Sequence, residues 1–175
     1  MLKLQMLKTF FLILLLSFFN FLNAKEPFLA ILLNIPSNGM QTFNYGNYDF
    51  HCNAYGVITL ESLHNIAKSE SICKKNIEKF YKKNPDLKYF SLRKLDVKQR
   101  YHIEFKNQEC VLYASGDMTL SELLLREGLS IQKPNFNDDE FRYSFFKSQL
   151  KAKTQKKGLW KENIYESCVK EIGEL

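Results

Sequence analysis

The stretch from Glu109 to Trp160 constrains this chain most, because it reads as an ordered series: strand, turn, capped helix, glycine stop, long basic helix, then Gly158-Leu159-Trp160. Cys110 to Ala114 has strand content. Thr119-Leu120-Ser121-Glu122 has the form of a capping box, in which the Thr119 hydroxyl and the Glu122 carboxylate satisfy free amides at a helix start. Leu123, Leu124 and Leu125 fill that helix, and Gly128 supplies a left-handed stop. Asn137-Asp138-Asp139-Glu140 opens a second capped helix, with Phe141, Phe145, Phe146 and Leu150 near helical spacing. Its other face carries Lys147, Lys151, Lys153, Lys156 and Lys157, a stripe that is usually just solvated.

Upstream, Phe28 to Leu33 is an unbroken apolar run too short for a stable helix, so it reads as a buried strand. Asn38-Gly39 then suits the positive φ of a tight hairpin, leading into a second strand from Met40 to Tyr45. Gly46-Asn47 turns the chain again, and Tyr48 to Ile58 has the aromatic and β-branched residues of a third strand. From Glu61 the spacing becomes helical, with Ile72, Ile77, Phe80 and Tyr81 on one side among five lysines, ending before Asn84-Pro85. Those lysines suit a nucleic acid or plain solvent. Arg100 to Phe105 alternates as a half-buried strand does, and Lys106-Asn107-Gln108 turns into the last strand. The fold class is α+β, mainly β: a five-stranded barrel of the oligonucleotide-binding (OB-fold) type with about three helices.

The first residues carry Lys3 and Lys8, an apolar run from Phe10 to Leu22 broken by Ser17 and Asn20, and Asn23-Ala24 before Lys25-Glu26. This pattern predicts a signal peptide over 1–24, cleaved after Ala24, with a periplasmic or secreted product. A membrane anchor wants about 20 apolar residues, so no stable membrane insertion is expected after cleavage. The rest reads as one domain over 25–160 with a C-terminal tail over 161–175. The net charge of +6 falls to +4 without the two leader lysines, which suits an anionic partner without requiring one. Cys52, Cys73, Cys110 and Cys168 all lie in the mature part, and an even count in an exported chain suggests two disulfides, with three pairings open. No CxxC occurs and His51, His64 and His102 lack ligand spacing, so no metal site is expected.

Tyr113-Ala114-Ser115-Gly116-Asp117-Met118, Glu122 to Leu129, and the lysine-rich helix closing in Gly158-Leu159-Trp160 resemble the carboxy-terminal half of the staphylococcal nuclease (thermonuclease-like, TNase-like) family. The resemblance covers this half well and the remainder only by strand order. It implies a barrel built for calcium-assisted phosphodiester hydrolysis, which needs oxygen ligands for the metal, a carboxylate to activate water and arginines on the phosphate. The family draws these from an Asp-Gly-Asp-Thr turn, an Arg followed by Asp-x-Pro-Glu, and a Tyr-Gly-Arg. This chain has instead Ser37-Asn38-Gly39-Met40 at the first turn, Phe50-His51-Cys52 and Tyr55 to Thr59 around the third strand, and Lys106-Asn107-Gln108 before the last.

The resemblance therefore implies an exported, catalytically degenerate member that binds single-stranded nucleic acid or an envelope protein partner, a pseudoenzyme without a cofactor. Tyr45, Tyr48, Phe50, Tyr55 and Tyr113 either offer stacking rings or build the core. The alternative is a divergent secreted nuclease, retaining calcium, with an altered site from Asp49, His51, Glu61, Arg100 and Glu104, in which His51 is the base and Arg100 holds phosphate. The family's strand pairing also implies Cys52 beside Cys110, within about 5.5 Å between α-carbons, which leaves Cys73 on the first helix to hold the tail through Cys168.

Overall fold

The computed structural model describes residues 27–172; the expected leader 1–24 lies outside the described residues. The strands are β1 (Phe28–Ser37), β2 (Met40–Tyr45), β3 (Tyr48–Asn53), β4 (Val57–Thr59), β5 (Arg100–Lys106), β6 (Glu109–Ser115), β7 (Met118–Thr119) and β8 (Ser130–Gln132). The helices are α1 (Leu60–Ile66), α2 (Ile72–Lys83), α3 (Pro85–Lys88), α4 (Phe90–Lys94), α5 (Leu120–Arg126), α6 (Arg142–Thr154) and α7 (Ile164–Ile172), with a 3-10 turn at Gly158–Trp160. The architecture is α+β, dominated by an antiparallel six-stranded sheet in the order β3-β2-β1-β5-β6-β7.

The expected five-stranded barrel does not close; the strands form an open six-stranded sheet instead. Gly56, at φ +68°, turns the chain out of the third strand, so β4 leaves the sheet and pairs with β8 instead. What joins β3's end to β6 is one parallel bridge, Ala54 to Cys110, and the Cys52–Cys110 disulfide, whose α-carbons lie 5.4 Å apart. Leu32, Phe43, Ile103 and Leu112 fill the sheet's inner face against Leu120, Leu124 and Phe145. Each such side chain contributes about 1.5–3 kcal/mol by leaving water.

The helices also differ from the sequence reading. The run expected from Glu61 to Lys83 breaks after Ile66, because Ser71 caps a new helix by accepting a hydrogen bond from Lys74 N at 3.0 Å. Ile72 stays exposed at that helix start, and Cys73, Ile77 and Phe80 are buried. The capping box at Thr119 and Glu122 forms as read. The last long helix begins at Arg142 rather than Asn137, after a turn in which Asp138 accepts from Glu140 N at 2.9 Å with one carboxylate oxygen and from Tyr55 and Lys106 with the other. Phe141 and Phe145 are buried, whereas Phe146 and Leu150 face solvent.

Gly128 ends α5 at φ +67° and lies directly against the backbone of Lys157 and Gly158, where any Cβ would collide. Leu159 N donates to Gly128 O at 2.9 Å, so the Gly158–Trp160 turn is fastened to the end of α5. Beyond it, residues 161–172 fold back on α2 through the Cys73–Cys168 disulfide, with α-carbons 4.5 Å apart. Glu171 completes the junction by accepting from Ile72 N and Cys73 N at 2.7 and 3.1 Å, two amides that a helix start leaves free. Two disulfides fit a chain exported to an oxidising compartment, and no helix of the described residues is long and apolar enough to cross a membrane.

Candidate functional site

A buried polar arrangement sits under the β1–β2 turn. Neither Asn38 nor Gly39 adopts the positive φ expected of this pair. Glycine is required for a different reason: a Cβ on Gly39 would stand 2.5 Å from the Thr59 methyl, so the turn can press against the start of α1 only without one. Thr59 holds that start by accepting from Ser62 N at 3.2 Å. Asn38, 1% exposed, is thereby pushed into the interior, where its amide is fully used. It donates to Glu61 Oε1 at 2.8 Å and to Leu87 O at 2.9 Å, and accepts from Ser91 N at 2.9 Å.

Tyr81, from α2, donates its hydroxyl to the same Glu61 oxygen at 2.9 Å. Burial and the Glu61 carboxylate both push the Tyr81 hydroxyl far above the ordinary phenol range, so it remains a donor. Glu61 Oε2 is buried without a hydrogen-bond partner. Glu61 also lies on the walls of two cavities, of about 650 and 480 Å³. The larger runs past His64, Glu78 and Tyr89, and the smaller past Asn53 to the ion pair of Lys133 and Glu109 at 2.7 Å. The arrangement holds one carboxylate rigidly beside two cavities, with Oε1 bonded twice and Oε2 buried and unpartnered.

The other residues singled out from the sequence lie apart from Glu61. His51 Nδ1 pairs with Thr42 Oγ1 at 3.1 Å and Asp49 accepts from Asn44 at 2.7 Å, both exposed on β3. Arg100 is exposed at the start of β5, opposite Ile31. Glu104 faces Lys106 at 3.4 Å, and Lys106 also reaches Asp138 at 3.3 Å and Glu140 at 2.6 Å. Burial works against the Lys106 charge, but the hydrogen bonds it donates to Glu140 and Asp138 outweigh that and raise its pKa. Tyr55 donates to Asp138 at 2.8 Å, and its own pKa is pushed up to about 12, first by burial and then by that bond. This network ties β5 to the segment ahead of α6. His51, Glu61, Arg100 and Glu104 are thus placed in separate surroundings.

The aromatic residues divide in the same way. Tyr55 is core. Phe50 stacks with Phe43 and meets Phe105 at 5.1 Å between ring centres, and Phe28 joins Tyr45 at 5.0 Å and Phe105 at 5.4 Å. Tyr45 and Tyr48, paired across the β2–β3 turn, are 55% and 78% exposed. Tyr113 is half-buried on β6. Sequence reasoning missed the Asn38–Glu61–Tyr81 arrangement; its signal was an amide-bearing turn and a lone acid at a helix start. Neither a protein-family model nor a curated protein matches the chain.

Proposed function

We propose that this is an exported, staphylococcal nuclease-like domain of OB-fold-type ancestry that binds single-stranded nucleic acid without hydrolysing it. The observation that carries the reading is the exposed pair Tyr45 and Tyr48, backed by the Phe28, Phe50 and Phe105 cluster at one end of the sheet. Exposed rings on strands of such folds stack on bases irrespective of sequence. The order β3-β2-β1-β5-β6, with the helices α1 to α4 between β4 and β5, supports the ancestry.

The test is binding of a labelled single-stranded oligonucleotide to the mature protein and to Tyr45→Ala/Tyr48→Ala. Stacking of one base is worth about 1–3 kcal/mol, so the double variant should bind at least about fivefold more weakly. No binding at low salt, or equal binding by the variant, would refute the proposal. One observation favours a second reading, the divergent nuclease: Glu61 borders two cavities, and its buried Oε2 has no hydrogen-bond partner. Metal-dependent cleavage that Glu61→Gln abolishes would select it.

A further inference from the structure

A second surface, far from Glu61 in the chain, gathers cations into a concavity. A cavity of about 660 Å³ opens between α4, α5 and α6, lined by Arg93, Lys94, Arg126 and Lys151 over an apolar floor that includes Phe90 and Leu123. Arg126 and Lys151 also line the adjoining cavity of about 450 Å³, which adds Lys147 and Tyr143, so the two form one groove. The groove's own acids are occupied: Glu127 is held by Lys157 at 2.9 Å, and Glu122 is engaged with Thr119 at 2.8 Å.

Lys157 at the groove's edge, and Lys83, Lys106, Lys133 and Arg142 elsewhere, are each paired with a carboxylate, whereas Lys74, Lys75 and Lys79 on α2 are in no ion pair among the described residues but line neither cavity. Among the described residues none of Arg93, Lys94, Arg126, Lys147 and Lys151 is in an ion pair. Against these cations the groove sets Glu122, whose bonds from Thr119 leave its charge in place, and the remaining excess of positive charge in a concave site concentrates the field and draws anions. Lys147 and Lys151 stand about 6 Å apart along α6, a spacing that sets two cations along one line. Tyr143, 73% exposed, supplies a free ring at the groove's end.

We propose that this groove binds the phosphate backbone of a single-stranded nucleic acid, with Tyr143 stacking on a base; the nucleic-acid assignment rests on the function proposed above. Cations that track a backbone, together with an aromatic ring, are what a linear phosphodiester polymer needs and what a neutral or cationic ligand does not. Lys153, Lys156 and Lys161 are exposed as well but line neither cavity, and are left to solvent.

The test compares the mature protein, Arg126→Gln/Lys151→Gln, and Lys75→Glu/Lys79→Glu on the distant face of α2. Binding of a single-stranded oligonucleotide is measured from 50 to 300 mM salt, with inorganic polyphosphate as a second probe. Each lost phosphate contact flattens the logarithmic salt dependence by about 0.7 for single strands. The groove variant should therefore lose affinity and about 1.4 of slope, while the α2 variant changes little. Equal affinity and slope in the groove variant, or an equal loss in the α2 variant, overturns the groove and leaves the nucleic-acid function standing. If the unaltered protein binds polyphosphate through the groove but no oligonucleotide, the function is overturned and the anion site stands. Binding of neither probe overturns both.

Discussion

Asn38→Ala is expected to cost this protein about 3 kcal/mol of stability, a large loss for a polar residue in a turn. The figure follows from what the truncation strands. Asn38 is buried, and removing its amide leaves Leu87 O and the amide of buried Ser91 without their partners at 2.9 Å. Each such orphan costs about 1–3 kcal/mol. Glu61 keeps Tyr81 but loses its 2.8 Å bond from Asn38, and because the groups share one network the losses do not simply add. The assay is urea unfolding followed by far-ultraviolet circular dichroism and Trp160 fluorescence, with an unchanged dependence on denaturant. For a chain of this size the melting temperature should fall by about 6–12 °C. Asn34→Ala is the control: its side chain makes only an exposed 2.8 Å bond to the next residue, so less than about 0.5 kcal/mol is expected. A loss below about 1 kcal/mol for Asn38→Ala would refute the claim that this amide locks the turn to α1, α3 and α4.

The remaining predictions concern the tail and the charged network. Cys73→Ser/Cys168→Ser opens a crosslink spanning 95 residues and should cost about 2–4 kcal/mol, with limited proteolysis first cutting residues 161–172; an unchanged digestion pattern would show that packing alone holds α7. Burial opposes ionisation of Asp138, but the bonds from Tyr55 and Lys106 outweigh it and hold the carboxyl below its ordinary range. That depressed value gives stability present above the unfolded pKa of about 3.9 and lost as pH falls through the folded value. Lys106 has the opposite sign: its raised pKa gives stability present below about 10.4 and lost as pH rises through the folded value. Asp138→Asn should therefore flatten the loss of stability below about pH 4, measured by unfolding as a function of pH, and an unchanged acid limb contradicts the network.

Local chemistry was the legible part of the sequence. The box of Thr119 and Glu122 and the stop at Gly128 each involve neighbours in the chain, so their residues alone announce them. Elements decided by distant partners were not announced. Asp138 does cap locally, accepting from Glu140 N at 2.9 Å through one carboxylate oxygen, but its second oxygen is taken by Tyr55, 83 positions away, a bond that no local pattern announces. The strand read from Tyr48 to Ile58 divides at Gly56 because β8 offers β4 a partner that no local pattern reveals. Asn38-Gly39 looks like a positive-φ hairpin, and it is the Thr59 methyl that demands the glycine. The site suffered most: Asp49 and His51 on β3, and Arg100 and Glu104 on β5, share the sheet's outer face but are separated by β2 and β1, and Glu61 lies apart at the start of α1, so residue type carried no information about convergence.

Fluorescence anisotropy of a labelled single-stranded oligonucleotide, mixed with the mature protein in calcium and followed over an hour, tests the central claim most directly. Binding without hydrolysis gives a rise that then holds steady. A rise that decays to the value of a free short fragment would contradict the claim and select the divergent nuclease, and a flat trace at low salt would contradict nucleic-acid binding itself.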